Sequence, residues 1–359
     1  MTTVRVKLGP RSYDIAVGSS LLKQAAKFVA DRHPGRHAVL ISDANVRASY
    51  AQPLLQELTS AGYRCNLFEV PAGEASKSIA QADHLWKELL DCRTDRKSVV
   101  IAVGGGVVGD LAGFIAATFG RGLAFFQIPT TLLAQVDSSV GGKVGINLPA
   151  AKNMVGAFWQ PTGVLIDLDA LKTLPKREYL SGLAEVVKYG MILDAPFFEY
   201  LELVVPQLLQ RDSAVLEKVV ARCCELKALV VEQDEREETG LRAVLNYGHT
   251  FCHAIETVSG YGTFLHGEAV AIGMIQASQL AEKLGRIEPA LTERQRALLR
   301  ALELPVTAPQ LGPQQLLVAM QHDKKVEHGK LRFILPTRMG HVELVGGVAP
   351  ELVLEVLRG

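Results

Sequence analysis

Three histidines and two glutamates lie close together between residues 245 and 270. His249 and His253 are four residues apart, so a helix would carry both side chains on one face. His266 follows a Gly-Tyr-Gly segment, where the glycines allow the chain to turn back. Two neutral imidazoles and one carboxylate form a common catalytic zinc shell with open coordination positions. The segment therefore predicts a catalytic divalent-metal site whose third ligand lies elsewhere in the chain.

The best candidate for the third ligand is Glu185, in the segment SGLAEVVKYG. It is three residues before Lys188 on a predicted helix whose other face is apolar. A glutamate in such a helix either lies on the surface or turns into a cleft. The spacing alone leaves both interpretations open, although the histidine cluster favours the second.

A glycine-rich motif at 104–109, GGGVVG, fits the pattern GxGxxG. It follows an apolar run typical of a strand and precedes a helical segment, which is the context of a nucleotide site. The acidic residue expected about 20 positions further on is missing. Instead, Asp43 and the Glu74 and Lys77 of PAGEASK follow other predicted strands. The pattern predicts a nucleotide site unlike an ordinary Rossmann one; alternatively, the glycines only form a tight turn.

Basic and polar residues are scattered through the glycine-rich segment 127–158. They are Thr130, Thr131, Asp137, Lys143, Lys152 and Asn153. Because lysine is seldom buried without a partner, the segment predicts either an anion pocket or a solvated loop. Further candidate cations are Arg121, Lys227, Arg242, Lys324 and Lys325.

Strands and helices must alternate in the first half of the chain to position these residues. VRVKL and YDIAVG predict a hairpin or paired strands. HAVLISD (37–43) predicts a buried strand, RCNLFEV (64–70) a further strand, and SVVIAVGGG (98–106) is the most strand-like run of the chain. The segments between them predict helices at 19–31, 46–61 and 78–92. This alternation is typical of a doubly wound, mostly parallel sheet of the α/β class, that is, a Rossmann-like sheet.

The second half is predicted to be mainly α-helical. The helical segments are 196–232, 246–258, 266–284 and 290–302, and one hairpin is expected at 330–345. We therefore expect two domains, an α/β nucleotide-binding domain at 1–175 and a helical domain at 176–359.

Composition narrows the classes of function. The 359 residues include 38 basic and 38 acidic side chains, so no overall charge favours nucleic acid or a membrane. The five cysteines are odd in number and contain no CxxC pair, which fits reduced thiols. The N-terminus lacks the apolar core of a signal peptide. We expect a cytoplasmic protein without nucleic-acid or membrane partners.

Eight segments, taken in order, resemble the 3-dehydroquinate synthase family of sugar-phosphate cyclases over essentially the whole chain. They are PAGEASK, GGGVVGDLAGF, QIPTTLLAQVDSSVGGKVGIN, KNMVGAFWQP, LKTLPKREYLSGLAEVVKYG, LNYGHTFCHAIE, LHGEAVAIGM and DKKVEHGKLRFILP. The resemblance implies NAD, one divalent metal (zinc or cobalt), and an active site in the cleft between two domains. It further implies a homodimer that converts a phosphorylated sugar acid, 3-deoxy-arabino-heptulosonate 7-phosphate, to 3-dehydroquinate and phosphate in the shikimate pathway.

The resemblance also assigns roles to individual positions. The implied metal ligands are Glu185, His249 and His266. The implied NAD contacts are Asp43, Glu74, Lys77, Gly105, Gly106, Val107, Gly109, Asp110, Thr130, Thr131, Lys143, Lys152 and Thr173. The implied substrate contacts are Lys227 and Arg242 for the carboxylate, and for the phosphate Lys143, Asn153, His253, Lys324 or Lys325, and Arg121 from a neighbouring subunit. Further implied catalytic positions are Asp137, Lys152, Lys188 and Asn246.

Two positions differ from the family's usual residues, which are glycine at Cys252 and leucine at Tyr247, and Phe119-Gly120 precedes Arg121 where a bulkier pair is usual. Cys252 could offer a thiolate to the metal, but we expect that it does not, because residues three apart from His249 and adjacent to His253 need not point inward together. His253 could be a fourth ligand; because a catalytic zinc keeps an open position, we assign it to substrate contact or proton transfer.

Two other activities are compatible with parts of this pattern. A cyclase acting on a sugar phosphate without a carboxylate would leave Lys227 and Arg242 unpaired. An NAD- and metal-dependent polyol dehydrogenase would not need the lysines at 143, 152 and 188. A non-enzymatic nucleotide-binding module would not explain the histidines and Glu185.

Overall fold

The computed structural model describes residues 1–149, 151–260, 262–308, 311–321 and 331–358. The chain divides into two compact units. Unit 1 comprises Met1–Leu174 and Ser213–Glu232, and unit 2 comprises Pro175–Asp212 and Gln233–Gly359.

Unit 1 is built on a seven-stranded sheet and an added hairpin. Its strands are β1 (Thr2–Val6), β2 (Tyr13–Gly18), β3 (His37–Asp43), β4 (Arg64–Val70), β5 (Val99–Gly104), β6 (Ala124–Pro129), β7 (Lys143–Leu148), β8 (Ala151–Phe158) and β9 (Gly163–Asp167). The order in the large sheet is β1-β2-β9-β6-β5-β3-β4, and β7 pairs with β8. Only β1 and β2 pair antiparallel in the large sheet; its other pairs are parallel.

Helices cover both faces of this sheet. They are α1 (Ala25–Ala30), α2 (Gln52–Ser60), α3 (Ile79–Asp91), α4 (Gly106–Thr118) and α8 (Ser213–Gln233). Successive residues of β3 alternate between two apolar clusters: Leu40 packs with residues of α1 and α2, whereas Ile41 packs with residues of α3 and α4. Side chains of a strand point alternately to its two faces, so both faces of the sheet are apolar. This confirms the doubly wound α/β interpretation.

Unit 2 is mainly helical. Its helices are α5 (Lys176–Leu193), α6 (Ala195–Leu203), α7 (Val205–Leu209), α9 (His249–Ser259), α10 (His266–Lys283), α11 (Pro289–Ala301), α12 (Pro313–Gln321) and α13 (Pro350–Arg358). The predicted hairpin is present as β10 (Arg332–Arg338) and β11 (His341–Gly346), which pair antiparallel. Among the described residues, no helix is both long and apolar enough to cross a membrane.

Three features differ from the sequence expectation. The helix α8 belongs to unit 1, whereas we expected all of 176–359 to form the second domain. Its residues bind the rest of unit 1 through hydrogen bonds that helical periodicity does not reveal; for example, the Cys224 thiol donates to the Gln135 carbonyl. The segment 143–158 is a hairpin rather than a loop. The helix expected at 19–31 is a 3-10 turn at Leu21–Gln24 followed by the short α1.

Candidate metal and nucleotide sites

Three side chains of unit 2 form a compact set of metal donors. Oε1 of Glu185 lies 3.6 Å from Nε2 of His249 and 3.5 Å from Nε2 of His266. Two donors that are each about 2.0–2.2 Å from a tetrahedral ion lie roughly 3.3–3.6 Å apart. The observed distances therefore fit one small divalent cation held by one carboxylate oxygen and two imidazole nitrogens. The same three residues were predicted from the sequence and the resemblance.

The helix α5 fixes one of these ligands relative to the start of α10. Arg177, Ser181 and Glu185 are spaced by four residues, so they share one face of α5. The Arg177 guanidinium makes two 2.7 Å bonds to the carboxylate of Glu268, and the Ser181 hydroxyl accepts the N–H of Gly267 at 3.0 Å. A Cβ at Gly267 would lie 1.8 Å from the Ser181 carbonyl oxygen. Glycine at this position thus lets α10 approach α5 and brings His266 to Glu185.

The helix α9 is held against α10 by a close contact between two glycines, Gly248 and Gly273. Gly248, just before His249, has φ +77°, and a Cβ there would lie 2.8 Å from the backbone nitrogen of Met274. A Cβ at Gly273 would lie 2.2 Å from the Gly248 carbonyl oxygen. Only glycine permits this conformation and this close approach together. The backbone contact determines where α9 presents His249.

The ring of His249 is oriented by its own backbone. Its Nδ1 lies 3.0 Å from the carbonyl oxygen of Tyr247. A carbonyl can only accept, so Nδ1 carries the proton and Nε2 keeps its lone pair for a metal. The structure thus selects the tautomer that a metal ligand requires.

Tyr247 is itself held by a buried hydrogen-bond network. Its hydroxyl contacts the Met274 carbonyl at 3.0 Å, the Ser278 hydroxyl at 2.7 Å and Oε1 of Gln295 at 3.0 Å. Burial raises the pKa of this phenol, so it stays protonated. A tyrosine at this position therefore has a structural role that the sequence did not suggest.

Replacing Tyr247 by phenylalanine is expected to lower the free energy of unfolding by about 1–3 kcal/mol, because buried partners lose their hydrogen bonds. Urea denaturation of the two proteins measures this change. A matched control is Tyr200→Phe in α6. A loss below the error of the control would contradict the structural role.

A buried ion pair lies beside the donor set. Lys188 is 1% exposed and its ammonium bonds Oε2 of Glu185, whose side chain is fully buried. Burial of a charge is costly unless an opposite charge accompanies it. The lysine therefore neutralises the carboxylate while Oε1 faces the histidines. This places Lys188 next to the candidate metal site; its active-site role stays a prediction.

His253 and Cys252 lie close to the donor set in different ways. The ring of His253 is half-buried, 5.9 Å from the ring of His249, and His253 is not among the three donors. The Cys252 thiol is buried and lies 3.8 Å from Nδ1 of His266. The thiol is not among the donors Glu185, His249 and His266 but lies beside Glu256 and His266, so the expectation that Cys252 does not bind this metal stays a prediction.

Two other candidate residues of unit 2 are Arg242 and Asn246. Arg242 is 2% exposed; its guanidinium donates to the Glu235 carbonyl at 2.8 Å and lies 3.7 Å from the carboxylate of Glu237. Asn246 ends the 3-10 turn Leu241–Asn246, three residues before His249. Asn246 therefore lies near the start of α9 because it is close to His249 in the sequence.

The nucleotide candidates of unit 1 lie at the carboxyl ends of parallel strands. The chain order reverses between β3 and β5, which are neighbours although β4 lies between them in sequence. Such a switch point is where doubly wound sheets bind ligands. Asp43 ends β3, and Gly105 and Gly106 follow β5. Both groups of residues therefore flank the switch point, which the sequence order alone did not reveal.

The start of α4 fits the phosphates of a dinucleotide. The N–H groups of its first turn, among them those of Gly106 and Val107, have no carbonyl partner within the helix. A Cβ at Gly105 would lie 3.1 Å from Thr131, so glycine keeps this edge open. The neighbouring hydroxyl of Thr130 is buried and has no hydrogen-bond partner among the described residues. The motif therefore offers donors rather than only a tight turn.

The third glycine of the motif has a different task. A Cβ at Gly109 would lie 2.9 Å from Oε1 of Gln127 on β6. The missing side chain lets α4 pack closely on the sheet, as the last glycine of a dinucleotide motif does.

Lys77 connects three of the predicted residues. Its ammonium, 4% exposed, lies 2.6 Å from Oδ2 of Asp110 and 3.6 Å from Oε1 of Glu74, and it also bonds Oδ1 of Asn153. Burial alone would lower the pKa of Lys77, but the carboxylates of Asp110 and Glu74 raise it above its ordinary value. Burial raises the pKa of Asp110, and Lys77 opposes that shift. Lys77 therefore links the hairpin strand β8 to α4, the helix that begins at the glycine motif and is called the glycine helix below.

The remaining predicted residues are Lys227, Asp137, Thr173, Lys143, Lys152 and Arg121 in unit 1, and Lys324 and Lys325. Lys227 on α8 bonds Oδ1 of Asp137 at 2.8 Å and its carbonyl at 2.7 Å. The Thr173 hydroxyl bonds the hydroxyl of Tyr50. Lys143 and Lys152 lie on the hairpin strands, and Arg121 is exposed with φ +69°. Lys324 and Lys325 lie outside the described residues.

Several residues around the sites received no role from the sequence analysis. Arg177 and Ser181 position ligands and were not singled out. Glu268 and Glu256 were noted beside the histidines but were given no role, although Glu268 bonds Arg177 and Glu256 approaches His266. The four-residue spacing from Arg177 to Glu185 was a usable signal, whereas the contacts of Glu256 depend on how α9 and α10 pack.

The doubly wound unit and the helical unit together occur in solved structures of a known class of enzymes. The crystal structure of 2-deoxy-scyllo-inosose synthase complexed with carbaglucose-6-phosphate, NAD+ and Co2+ is 27% identical, with a TM-score of 0.90 and coverage of 99% of each chain. The 2-epi-5-epi-valiolone synthase ValA from Streptomyces hygroscopicus subsp. jinggangensis 5008, with NAD+ and Zn2+ bound, is 27% identical with a TM-score of 0.87, covering 99% of this chain and 98% of that one. The fold is thus that of the sugar-phosphate cyclases.

The family is given by two further matches. Residues 67–181 match the family described as 3-dehydroquinate synthase N-terminal, and residues 182–326 match 3-dehydroquinate synthase C-terminal. The 3-dehydroquinate synthase of Rhodopirellula baltica is 50% identical over 361 residues, covering 99% of this chain and 96% of the relative. The chain belongs to the 3-dehydroquinate synthase family, and it is an enzyme.

Proposed function

We propose that the chain converts 3-deoxy-D-arabino-heptulosonate 7-phosphate to 3-dehydroquinate and phosphate. The observation that carries this proposal is the 50% identity to a 3-dehydroquinate synthase over nearly the full length of both chains. The donor set of unit 2 and the glycine helix of unit 1 supply the chemistry that this conversion needs. In the proposed sequence, oxidation of a hydroxyl precedes phosphate elimination, and reduction, ring opening and aldol closure follow.

Glu185, His249 and His266 would hold the divalent metal, zinc or cobalt. Such an ion lowers the barrier to alkoxide formation on a coordinated hydroxyl. The chain's own part is to fix the three donors: α5 carries the carboxylate, the Tyr247 carbonyl sets the tautomer of His249, and Lys188 balances the charge of Glu185. His253 then remains for substrate contact or proton transfer.

The carboxyl edge of unit 1 would bind NAD, which accepts and returns a hydride. Asp43, Glu74, Lys77 and Asp110 supply polar groups at this edge. The proposed phosphate contacts are the backbone of Gly105, Gly106 and Val107 and the hydroxyls of Thr130 and Thr131, with Gly109 setting the helix position. Thr173 and the side chains of Lys143 and Lys152 complete the proposed set.

The cations of the chain suit a doubly anionic substrate. Lys227 and Arg242 are proposed to hold the carboxylate, and Lys143, Asn153, His253 and Lys324 or Lys325 to hold the phosphate. Asp137 pairs with Lys227 at 2.8 Å, so the lysine is already positioned. Lys152, Lys188 and Asn246 are proposed to act in catalysis. Because Lys227 and Arg242 have partners within the chain, Asp137 and Glu237, unpaired charge does not argue against a sugar phosphate without a carboxylate. The identity to a 3-dehydroquinate synthase is what favours the carboxylate-bearing substrate.

We further propose a cytoplasmic homodimer in which Arg121 serves the phosphate site of the neighbouring subunit. The exposed arginine with its left-handed backbone at φ +69° supports this role, because a constrained turn holds the side chain outward.

Phosphate release tests the proposed function. We expect rapid release from the heptulosonate phosphate, loss of release when a chelator removes the metal, and recovery when Zn2+ or Co2+ is restored. NAD should be regenerated in each cycle, so NADH absorbance should not accumulate. A sugar phosphate without a carboxylate is the matched substrate. Faster release from that substrate, or steady NADH accumulation, would refute the proposal.

A further inference from the structure

The second ring nitrogen of His266 lies beside two polar side chains that the proposed reaction does not use. Its Nε2 faces Glu185, and its Nδ1 lies 3.5 Å from Oε1 of Glu256. The Cys252 thiol lies 3.8 Å from this Nδ1 and 3.8 Å from Oε2 of Glu256. A carboxylate and a thiol therefore face the nitrogen that points away from Glu185.

The two histidine ligands differ in how their second nitrogen is held. Nδ1 of His249 lies 3.0 Å from the Tyr247 carbonyl, so the backbone fixes that ring. For His266, the groups closest to Nδ1 are side chains. A histidine that binds a metal through one nitrogen usually donates the other N–H to a carboxylate, a carbonyl or water, which fixes the ring and strengthens the ligand.

We propose that Glu256 is the positioning residue of His266: it accepts the Nδ1–H and directs Nε2 toward Glu185 and the metal. The proposal rests on the metal site proposed above. Cys252 fills the space between the two side chains and limits the movement of Glu256.

Helical spacing supports this arrangement. His249, Cys252 and Glu256 are at positions i, i+3 and i+7 of α9, so they share one face. The helix α9 thus supplies one ligand directly and orients the other ligand from α10. The Glu256 side chain is 14% exposed and Cys252 is fully buried, so water competes little for the contact.

The same three side chains could instead bind a metal themselves. A thiolate sulfur, a carboxylate oxygen and an imidazole nitrogen lie within 4.8 Å of one another. Such a site would require Nδ1 as a ligand and thus no proton there, which contradicts the orienting role. The experiment below separates the two arrangements.

The test is the Zn2+ affinity of the full-length protein, measured by competition with a chromogenic chelator. We expect Glu256→Ala to weaken Zn2+ binding about 10- to 100-fold, and Glu256→Gln to weaken it less because the amide oxygen still accepts the N–H. Turnover of Glu256→Ala at saturating Zn2+ should recover most of the unmodified rate. Glu293→Ala, an exposed glutamate of α11, is the control for loss of a carboxylate.

Thermal unfolding in chelator shows whether the metal-free fold is intact; if Glu256→Ala does not fold, Glu256→Gln carries the test. Unchanged Zn2+ affinity in both variants, with one equivalent bound by the unmodified protein, would overturn the proposal. A second equivalent of Zn2+ or Cd2+ that Cys252→Ser and Glu256→Ala both lose would also overturn it, in favour of a thiolate site. If the unmodified protein binds no metal, the proposed function fails, and this proposal with it.

Discussion

Replacing Glu185 by glutamine is expected to remove the bound metal and to lower turnover roughly 10³-fold or more. The ion is worth several kcal/mol to the reaction, and each 1.4 kcal/mol or so corresponds to a factor of ten. Glutamine keeps the volume of the side chain but loses the charge that balances a divalent cation. Metal content by elemental analysis and phosphate release from the heptulosonate phosphate measure the two effects.

Folding and metal binding must be separated in this experiment, because Glu185 also balances the buried Lys188. Leaving one partner of a buried pair costs about 3–5 kcal/mol of the free energy of unfolding. The double variant Glu185→Gln/Lys188→Met removes the unpaired charge, so we expect it to regain stability but not metal. Glu178→Gln, an exposed residue of the same helix, is the control. Full activity of Glu185→Gln without metal would refute the assignment.

Replacing Lys77 by methionine is expected to weaken NAD binding strongly and to destabilise unit 1 by about 3 kcal/mol. The lysine is 4% exposed and bonds Asp110, whose carboxylate would remain without its cation. It also bonds Asn153, so its loss loosens the connection between α4 and β8. Titration with NAD and chemical denaturation measure the two effects.

A double-mutant cycle gives this prediction its control. Asp110→Asn in the Lys77→Met background should restore part of the stability, because the uncompensated carboxylate is gone. The affinity for NAD should stay low, since the side chains of Lys77 and Asp110 are both proposed to contact NAD. Lys87→Met, an exposed lysine of α3, should change neither quantity. If Lys77→Met binds NAD normally, the lysine serves the fold alone.

Much of the fold could be predicted from the sequence because its signals are local. Continuous apolar runs marked β3 and β5, since both faces of that sheet are covered. The β7–β8 hairpin was missed because its residues are polar, glycine-rich and largely exposed, which removes the alternation that marks a strand. The helix α8 was assigned to the wrong part of the chain, since its amphipathic pattern does not identify its partner.

The metal ligands could be predicted more completely than the contacts that hold them. Histidine and glutamate are recognisable by residue type and by motif, and the sequence therefore predicted Glu185, His249 and His266 together. The contacts of the Cys252 thiol could not be predicted from neighbouring positions on α9 alone. The thiol faces His266 because α10 approaches α9 closely at Gly248 and Gly273.

The sequence by itself determined the class of fold and the family, and it predicted Glu185, His249 and His266 as the three metal donors. These features depend on residue types and on the periodicities of helices and strands, which can be seen in the local sequence. Only the tertiary structure decided which groups meet: Lys77 with Asp110 and Asn153, Lys227 with Asp137, and Glu256 with His266. Such contacts join residues far apart in the chain or on separate helices, so they follow from how elements pack rather than from spacing along one element.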